Sequence, residues 1–241
     1  MTRNAVADIR GTYDEQFPIL SGDGKHVVFF RADTTFLTTL EEGPVYKLMQ
    51  NCGKPTHANF DASQILCDSL SADERILLWS HGKVTTLVQQ PDGRNATQSA
   101  GHFSPDGRRV VFSEGSPSSP QRRIVVVPNA PDRKLKTEDW ITISDGSDSD
   151  RAPVWGADGK HIYYVSDTDG FTCIRGRPVD PATGRPTGPS VEIAHFHLAS
   201  QTLRTLRASE LSLEASDNFL VFMLGELKGN VWLKQTQREA K

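Results

Sequence analysis

The residues His102-Phe103-Ser104-Pro105-Asp106-Gly107-Arg108-Arg109-Val110-Val111-Phe112-Ser113 constrain the fold most, because their pattern recurs along the chain. Ser104-Pro105-Asp106-Gly107 is a tight-turn sequence. Pro105 pre-sets φ at the first corner, Asp106 can bond nearby backbone, and Gly107 takes a φ that a side chain would oppose. Val110-Val111-Phe112 is then apolar at successive positions, which suits a strand covered on both faces. The unit is strand, turn, buried strand.

Two copies match it position for position: Ser21-Gly22-Asp23-Gly24-Lys25-His26-Val27-Val28-Phe29 and Gly156-Ala157-Asp158-Gly159-Lys160-His161-Ile162-Tyr163-Tyr164. Asn59-Phe60-Asp61-Ala62-Ser63-Gln64-Ile65-Leu66-Cys67 keeps the Asp and the apolar run but loses the Gly. Glu214-Ala215-Ser216-Asp217-Asn218-Phe219-Leu220-Val221-Phe222 keeps the run and a polar turn. The turn residues Asp23, Asp61, Asp106, Asp158 and Ser216 are 38, 45, 52 and 58 positions apart, the length of one four-stranded blade.

The sequence therefore predicts an all-β chain, a β-propeller of about five four-stranded antiparallel blades in a single domain over 1–241. The blades are expected near 13–53, 54–92, 98–146, 150–197 and 208–235, with loops at 116–120, 131–139 and 178–189 explaining the growing pitch. Residues 5–10 are expected to supply the fourth strand of the last blade, which would remove the exposed sheet edges and leave a monomer. The alternative is that five blades form part of a six-bladed ring. Residues 198–209 fit a short helix or an irregular loop equally.

A formal net charge of −3, with Lys and Arg scattered along the chain, argues against a nucleic-acid partner. No window approaches the roughly 18 apolar residues of a membrane span, so no membrane insertion is expected. Residues 1–8 lack the apolar core of a signal peptide, and the chain as written is expected to be cytoplasmic. Cys52, Cys67 and Cys173 do not suggest a disulfide framework. Cys67 occupies the slot that Phe29 and Phe112 fill in other copies and reads as a buried core thiol.

The Ser-Pro-Asp-Gly turn followed by a buried strand resembles the TolB-like or WD40-like (PD40-type) repeat of bacterial propellers and of the propeller portions of prolyl-oligopeptidase-type enzymes. Ser104 to Phe112 carries this most closely, then Ala152 to Tyr164. Asn51-Cys52-Gly53-Lys54-Pro55-Thr56-His57, Trp140-Ile141-Thr142-Ile143-Ser144-Asp145-Gly146, Asp169-Gly170-Phe171-Thr172-Cys173-Ile174 and Leu224-Gly225-Glu226-Leu227-Lys228-Gly229-Asn230-Val231-Trp232-Leu233 are similar to the C-terminal propeller part of acidobacterial-type multidomain proteins. The resemblance implies an architecture, commonly of six or more blades, and no catalytic residue. It also implies a periplasmic or extracytoplasmic location if the chain belongs to a longer protein.

Residues that bear chemistry are few. There is no G-x-S-x-G elbow, and nothing in the sequence pairs two carboxylates as glycoside hydrolysis needs. Asp23, Asp61, Asp106 and Asp158 read as turn-holding residues. Asp145-Gly146-Ser147-Asp148-Ser149-Asp150 offers oxygen donors for Ca²⁺ but lacks the EF-loop spacing and its distal Glu, so a solvated loop is the expectation. His195-Phe196-His197 puts two imidazoles on one face of an extended segment, short of a zinc ligand set, and reads as a surface pair. Trp79, Trp140, Trp155 and Trp232 read as packing residues, and Arg151 as a contact at the channel end of its blade. No catalytic residue, metal or cofactor is assigned. The expected function is a non-catalytic binding, scaffold or sensor propeller that contacts a protein partner or small ligand through inter-blade loops at one end. The alternative is a small hydrolase or lyase acting on a carbohydrate, with carboxylates or His57 and His102 around the channel.

Overall fold

A computed structural model describes residues 16–41, 43–50, 52–71, 74–88, 96–133, 135–168, 170–196, 201–203, 213–216 and 218–226. Each repeated turn closes in the same way. The amides of Gly24, Ala62, Gly107 and Gly159 donate to the carbonyls of Ser21, Asn59, Ser104 and Gly156, three residues back. Asp23, Asp61, Asp106 and Asp158 accept the amides of Lys25, Ser63, Arg108 and Lys160 at 2.9–3.1 Å. The recurrent aspartates thus hold turns, as their spacing predicts. Ala62 stands at φ 56° where its counterparts are Gly24, Gly107 and Gly159 at 67–69°, so the degenerate copy keeps the turn at some cost in strain.

These turns join the first two strands of each sheet. The first sheet is β1 (Gln16–Leu20), β2 (His26–Arg31), β3 (Thr34–Thr39) and β4 (Tyr46–Gln50). The second is β5 (Lys54–Ala58), β6 (Gln64–Asp68), β7 (Ile76–Ser80) and β8 (Lys83–Thr86). The third is β9 (Thr97–Phe103), β10 (Arg109–Gly115), β11 (Arg122–Pro128) and β12 (Ile141–Thr142), and the fourth is β13 (Arg151–Trp155), β14 (His161–Ser166), β15 (Cys173–Pro178) and β16 (Val191–Ala194). All pair antiparallel in chain order. In the fifth repeat β18 (Leu213–Ala215) pairs with β19 (Leu220–Phe222), while β17 (Gln201–Thr202) pairs with β20 (Gly225–Glu226). Residues 201–202 are therefore strand, not helix. The strand expected at 5–10, the rest of the 198–209 segment outside 201–203, and Trp232 lie outside the described residues. The first strands β1, β5, β9, β13 and β18 pack in succession, which sets the sheets side by side as blades.

The core lies between blades. Val110 and Phe112 point into a cluster with Leu66 and Leu78 of blade two, while Val111 points the other way, to Trp155, Ile162 and Tyr164 of blade four. Alternating residues of one strand thus serve two interfaces, which is why the run is apolar at every position. Trp140 and Trp155 belong to these clusters and Trp79 to that of blades one and two.

The slot shared by Phe29, Cys67, Phe112 and Tyr164 is filled differently in each blade. Phe29 stacks on Phe36 at 5.5 Å, and Phe112 meets Trp140 edge-on at 5.6 Å. Tyr164 reaches Ser190 Oγ at 2.8 Å. Cys67 is buried as expected but is not a thiol: it is disulfide-bonded to Cys52, Cα to Cα 5.9 Å. The small side chain leaves room for Cys52, itself 1% exposed, to enter from just before β5. The chain denatured without reductant is expected to give one alkylatable thiol, Cys173, and three after reduction. Three thiols without reductant would contradict the bridge.

Candidate functional site

The inner strands share an irregularity. Register shifts interrupt β1, β5, β9 and β13 against their neighbours, and Phe17, Ala100 and Ala152 adopt φ of 54°, 57° and 48°. Such bulged, left-handed residues need support. The Ala100 amide donates to both carboxylate oxygens of Asp68, each at 3.0 Å, and Thr56 Oγ1 donates to the Gly101 carbonyl at 2.8 Å. Each bond ties blade two to blade three.

Burial pushes the Asp68 carboxyl up to about 6, against the Ala100 amide and the Lys54 ammonium, which lower it. Arg122 continues the network, donating to Ser113 Oγ at 2.9 Å, Ser99 Oγ at 3.0 Å and Thr97 Oγ1 at 3.2 Å. Burial lowers its guanidinium pKa, opposed by Glu74 and Asp68. Ser113 Oγ in turn donates to the Asp150 carbonyl at 3.0 Å, linking blades three and four. The end of the propeller where the inner strands begin is therefore a polar, cross-linked face.

Near the axis, the His57 and His102 rings stack with centroids 3.6 Å apart. His57 Nδ1 accepts the Phe103 amide at 3.2 Å and His102 Nδ1 lies 2.8 Å from the Phe103 carbonyl. His102 Nε2 is 3.8 Å from Glu214 of β18. Burial first, then the neighbouring His102, holds His57 well below its usual pKa.

A cleft of about 290 Å³ lies between the blade-three to blade-four connection and blade four itself. Asp145 on its rim caps its own turn, accepting the Ser147 amide at 3.0 Å and hydroxyl at 2.8 Å, and both bonds lower its pKa. Asp150, 4% exposed, carries an Oδ1 with no hydrogen-bond partner. Burial raises its carboxyl pKa, with Ser144 and Ser166 acting against that. Arg175 and Arg177 alternate along β15 and so share a face. Arg175 Nε donates to Ser190 Oγ at 3.3 Å, while the Arg177 guanidinium makes no hydrogen bond or ion pair among the described residues, its buried Nε included.

No family model matches the chain, and no curated protein matches it. Among solved structures it is similar to a putative TolB from Agrobacterium tumefaciens, at 13% identity and a TM-score of 0.59 over 90% of this chain and 78% of that one. The fold is a β-propeller. TolB from Acinetobacter baumannii is similar at 14% identity and a TM-score of 0.53, over 67% of this chain and 40% of that one. Regucalcin from A. tumefaciens, a calcium-binding protein, is similar at 16% and 0.53, over 78% and 61%. The chain spans less than two thirds of the length of these last two.

In this propeller several expected residues find different company. Arg151 sits at the start of β13, as expected, but is paired to Asp167 Oδ1 at 3.5 Å and donates to Ser149 Oγ at 3.4 Å. His195 is exposed, as expected, and lies between Cys173 Sγ, 3.3 Å from its Nδ1, and Glu192 at its Nε2. Its expected partner His197 lies outside the described residues. Asp145, Asp148 and Asp150 all line the cleft, but among the described residues no three His, Cys, Asp or Glu side chains gather for a metal ion. His57 and His102 do come together. Glu214 beside them, and the arginine pair of β15, were not singled out from the sequence. The pair had a signal, two arginines flanking Gly176 in an otherwise strand-like run.

Proposed function

We propose that this propeller is a non-catalytic binding module that holds its ligand through the inter-blade connection 143–150 and the adjoining face of blade four. The observation that carries this reading is the unmatched pair in the cleft: a buried carboxylate oxygen without a donor and a guanidinium without an acceptor. Leaving such groups unpaired away from water is costly, and a ligand that pairs them removes the cost. The same connection belongs to the cross-linked face, so a ligand there meets a rigid site. The catalytic alternative draws on His57, His102 and Glu214, but both Nδ1 atoms are engaged with the Phe103 backbone, which favours a role in tying β5 to β9.

The test is a melting-temperature screen of amino acids, sugars, dicarboxylates and nucleotides against the wild-type chain and Arg177→Gln. One class is expected to raise the wild-type midpoint by roughly 5–10 °C at a hundredfold excess over its Kd, and the variant's by much less. No response to any class, or an equal response in the variant, would overturn the reading.

A further inference from the structure

We infer that the cleft takes a zwitterion of the α-amino-acid class, its carboxylate on Arg175 and Arg177 and its ammonium on Asp150. This rests on the binding reading above. Charged groups of both signs, Asp145, Asp148 and Asp150 with Arg175 and Arg177, line one small cavity of about 290 Å³, at the lower end of the size range of small-molecule pockets. Their unused valences define the ligand. Among the described residues the Arg177 guanidinium has no partner, and Arg175 uses its Nε alone. Guanidinium forks match carboxylate geometry bidentately. Glu192 stands opposite Arg175 across the β15–β16 ladder but is engaged with His195, so it does not occupy the guanidinium.

Asp150 Oδ1 lacks a donor, whereas the other two carboxylates of the lining, Asp145 and Asp148, both accept the Ser147 hydroxyl, at 2.8 and 3.4 Å. A bare anion would satisfy the arginines and leave Asp150 both unpaired and repelled. A bare cation would satisfy Asp150 and leave two guanidiniums facing it. A ligand that carries both an ammonium and a carboxylate meets both demands. Tyr164, which stands opposite Arg175 on β14, lines the same cavity as Asp150, Arg175 and Arg177. Its hydroxyl, fixed by Ser190, supplies a neutral hydrogen-bonding group between them.

The experiment is calorimetric titration of the full chain at constant ionic strength with glycine and L-serine, with the one-ended analogues acetate and methylammonium, and with calcium chloride. The zwitterions are expected to bind at least tenfold more tightly than either analogue. Arg177→Gln and Asp150→Asn, each first shown by its unliganded melt to be folded, are expected to weaken them tenfold or more, while Arg177→Gln leaves methylammonium unchanged. Equal binding of analogues and zwitterions, or heat from calcium alone, would overturn the assignment. If neither zwitterion binds but another class in the melting screen does, the zwitterion assignment fails and the binding reading stands. If nothing binds in either experiment, both fail.

Discussion

Replacing Phe112 by alanine is expected to lower stability by about 3–5 kcal/mol, on the order of 10 °C in melting temperature for a chain of this length. Phe112 is fully buried between blades two and three, against Leu66, Leu78 and Val125, with the Trp140 edge at 5.6 Å and 83°. Its neighbours sit on strands fixed by ladders on both sides, so the cavity left by the ring has little means of collapse, and the lost edge-to-face contact adds to the transfer term. Phe60, by contrast, is 70% exposed beside a turn. Its replacement by alanine should stay within about 0.5 kcal/mol. Denaturant unfolding of the two variants compares them directly. A loss below about 1 kcal/mol at Phe112 would mean that the blades are not packed through these residues.

The second large effect is a pH dependence from Asp68. Its folded-state pKa of about 6 stands above the ordinary 3.8, so between these values the folded chain keeps a proton that the unfolded chain has lost. Stability contributed by this group is therefore present at low pH and lost as pH rises from about 4 through 6, by roughly 3 kcal/mol in all. His57 works in the other direction. Its imidazole is held well below 6.5 in the folded state, so acidification through that value protonates the unfolded chain first and weakens folding. The difference between wild type and Asp68→Asn isolates the aspartate, since asparagine still offers an oxygen to the Ala100 amide. Stability curves for the two proteins over pH 4 to 7 are expected to converge toward low pH and separate toward neutrality, with the variant the more stable at pH 7. Parallel curves would show that the Asp68 carboxyl is not pushed up by burial.

The features legible in the sequence are local ones. Ser104 to Phe112 and the copies at 21–29, 59–67 and 156–164 encode a turn, a bonded aspartate and a strand that is largely buried, all within nine residues, and these recur in the structure, whereas in the fifth copy Val221 of β19 is 62% exposed. The features not legible come from juxtapositions that the repeat does not specify. Cys67 was read by analogy with Phe29 and Phe112, and the analogy gave its burial correctly. That a smaller side chain would admit Cys52 depends on the path of the connection before β5. Glu214 reaches His102 because first strands of different blades approach one another at the axis, a contact of residues more than a hundred positions apart.

The cleft shows the same division. Its acidic loop attracted notice as a possible calcium site, but the hydrogen bonds of Ser147 to Asp145 and the burial of Asp150 separate two carboxylates that look equivalent in the sequence. Arg175 and Arg177 acquire meaning when β15 places them on one face beside Tyr164. Local chemistry thus predicts the blades, whereas the packing of one blade against the next creates the site.

A ligand held between the connection 143–150 and blade four must slow backbone exchange there. Hydrogen exchange of the free chain and of the chain saturated with the compound class that raises its melting temperature tests this most directly. Slower exchange is expected, confined to 143–150 and 173–178, with the turns at 102–109 and 155–161 unchanged. Protection centred on His57 and His102, or on those turns at the opposite end, would contradict it.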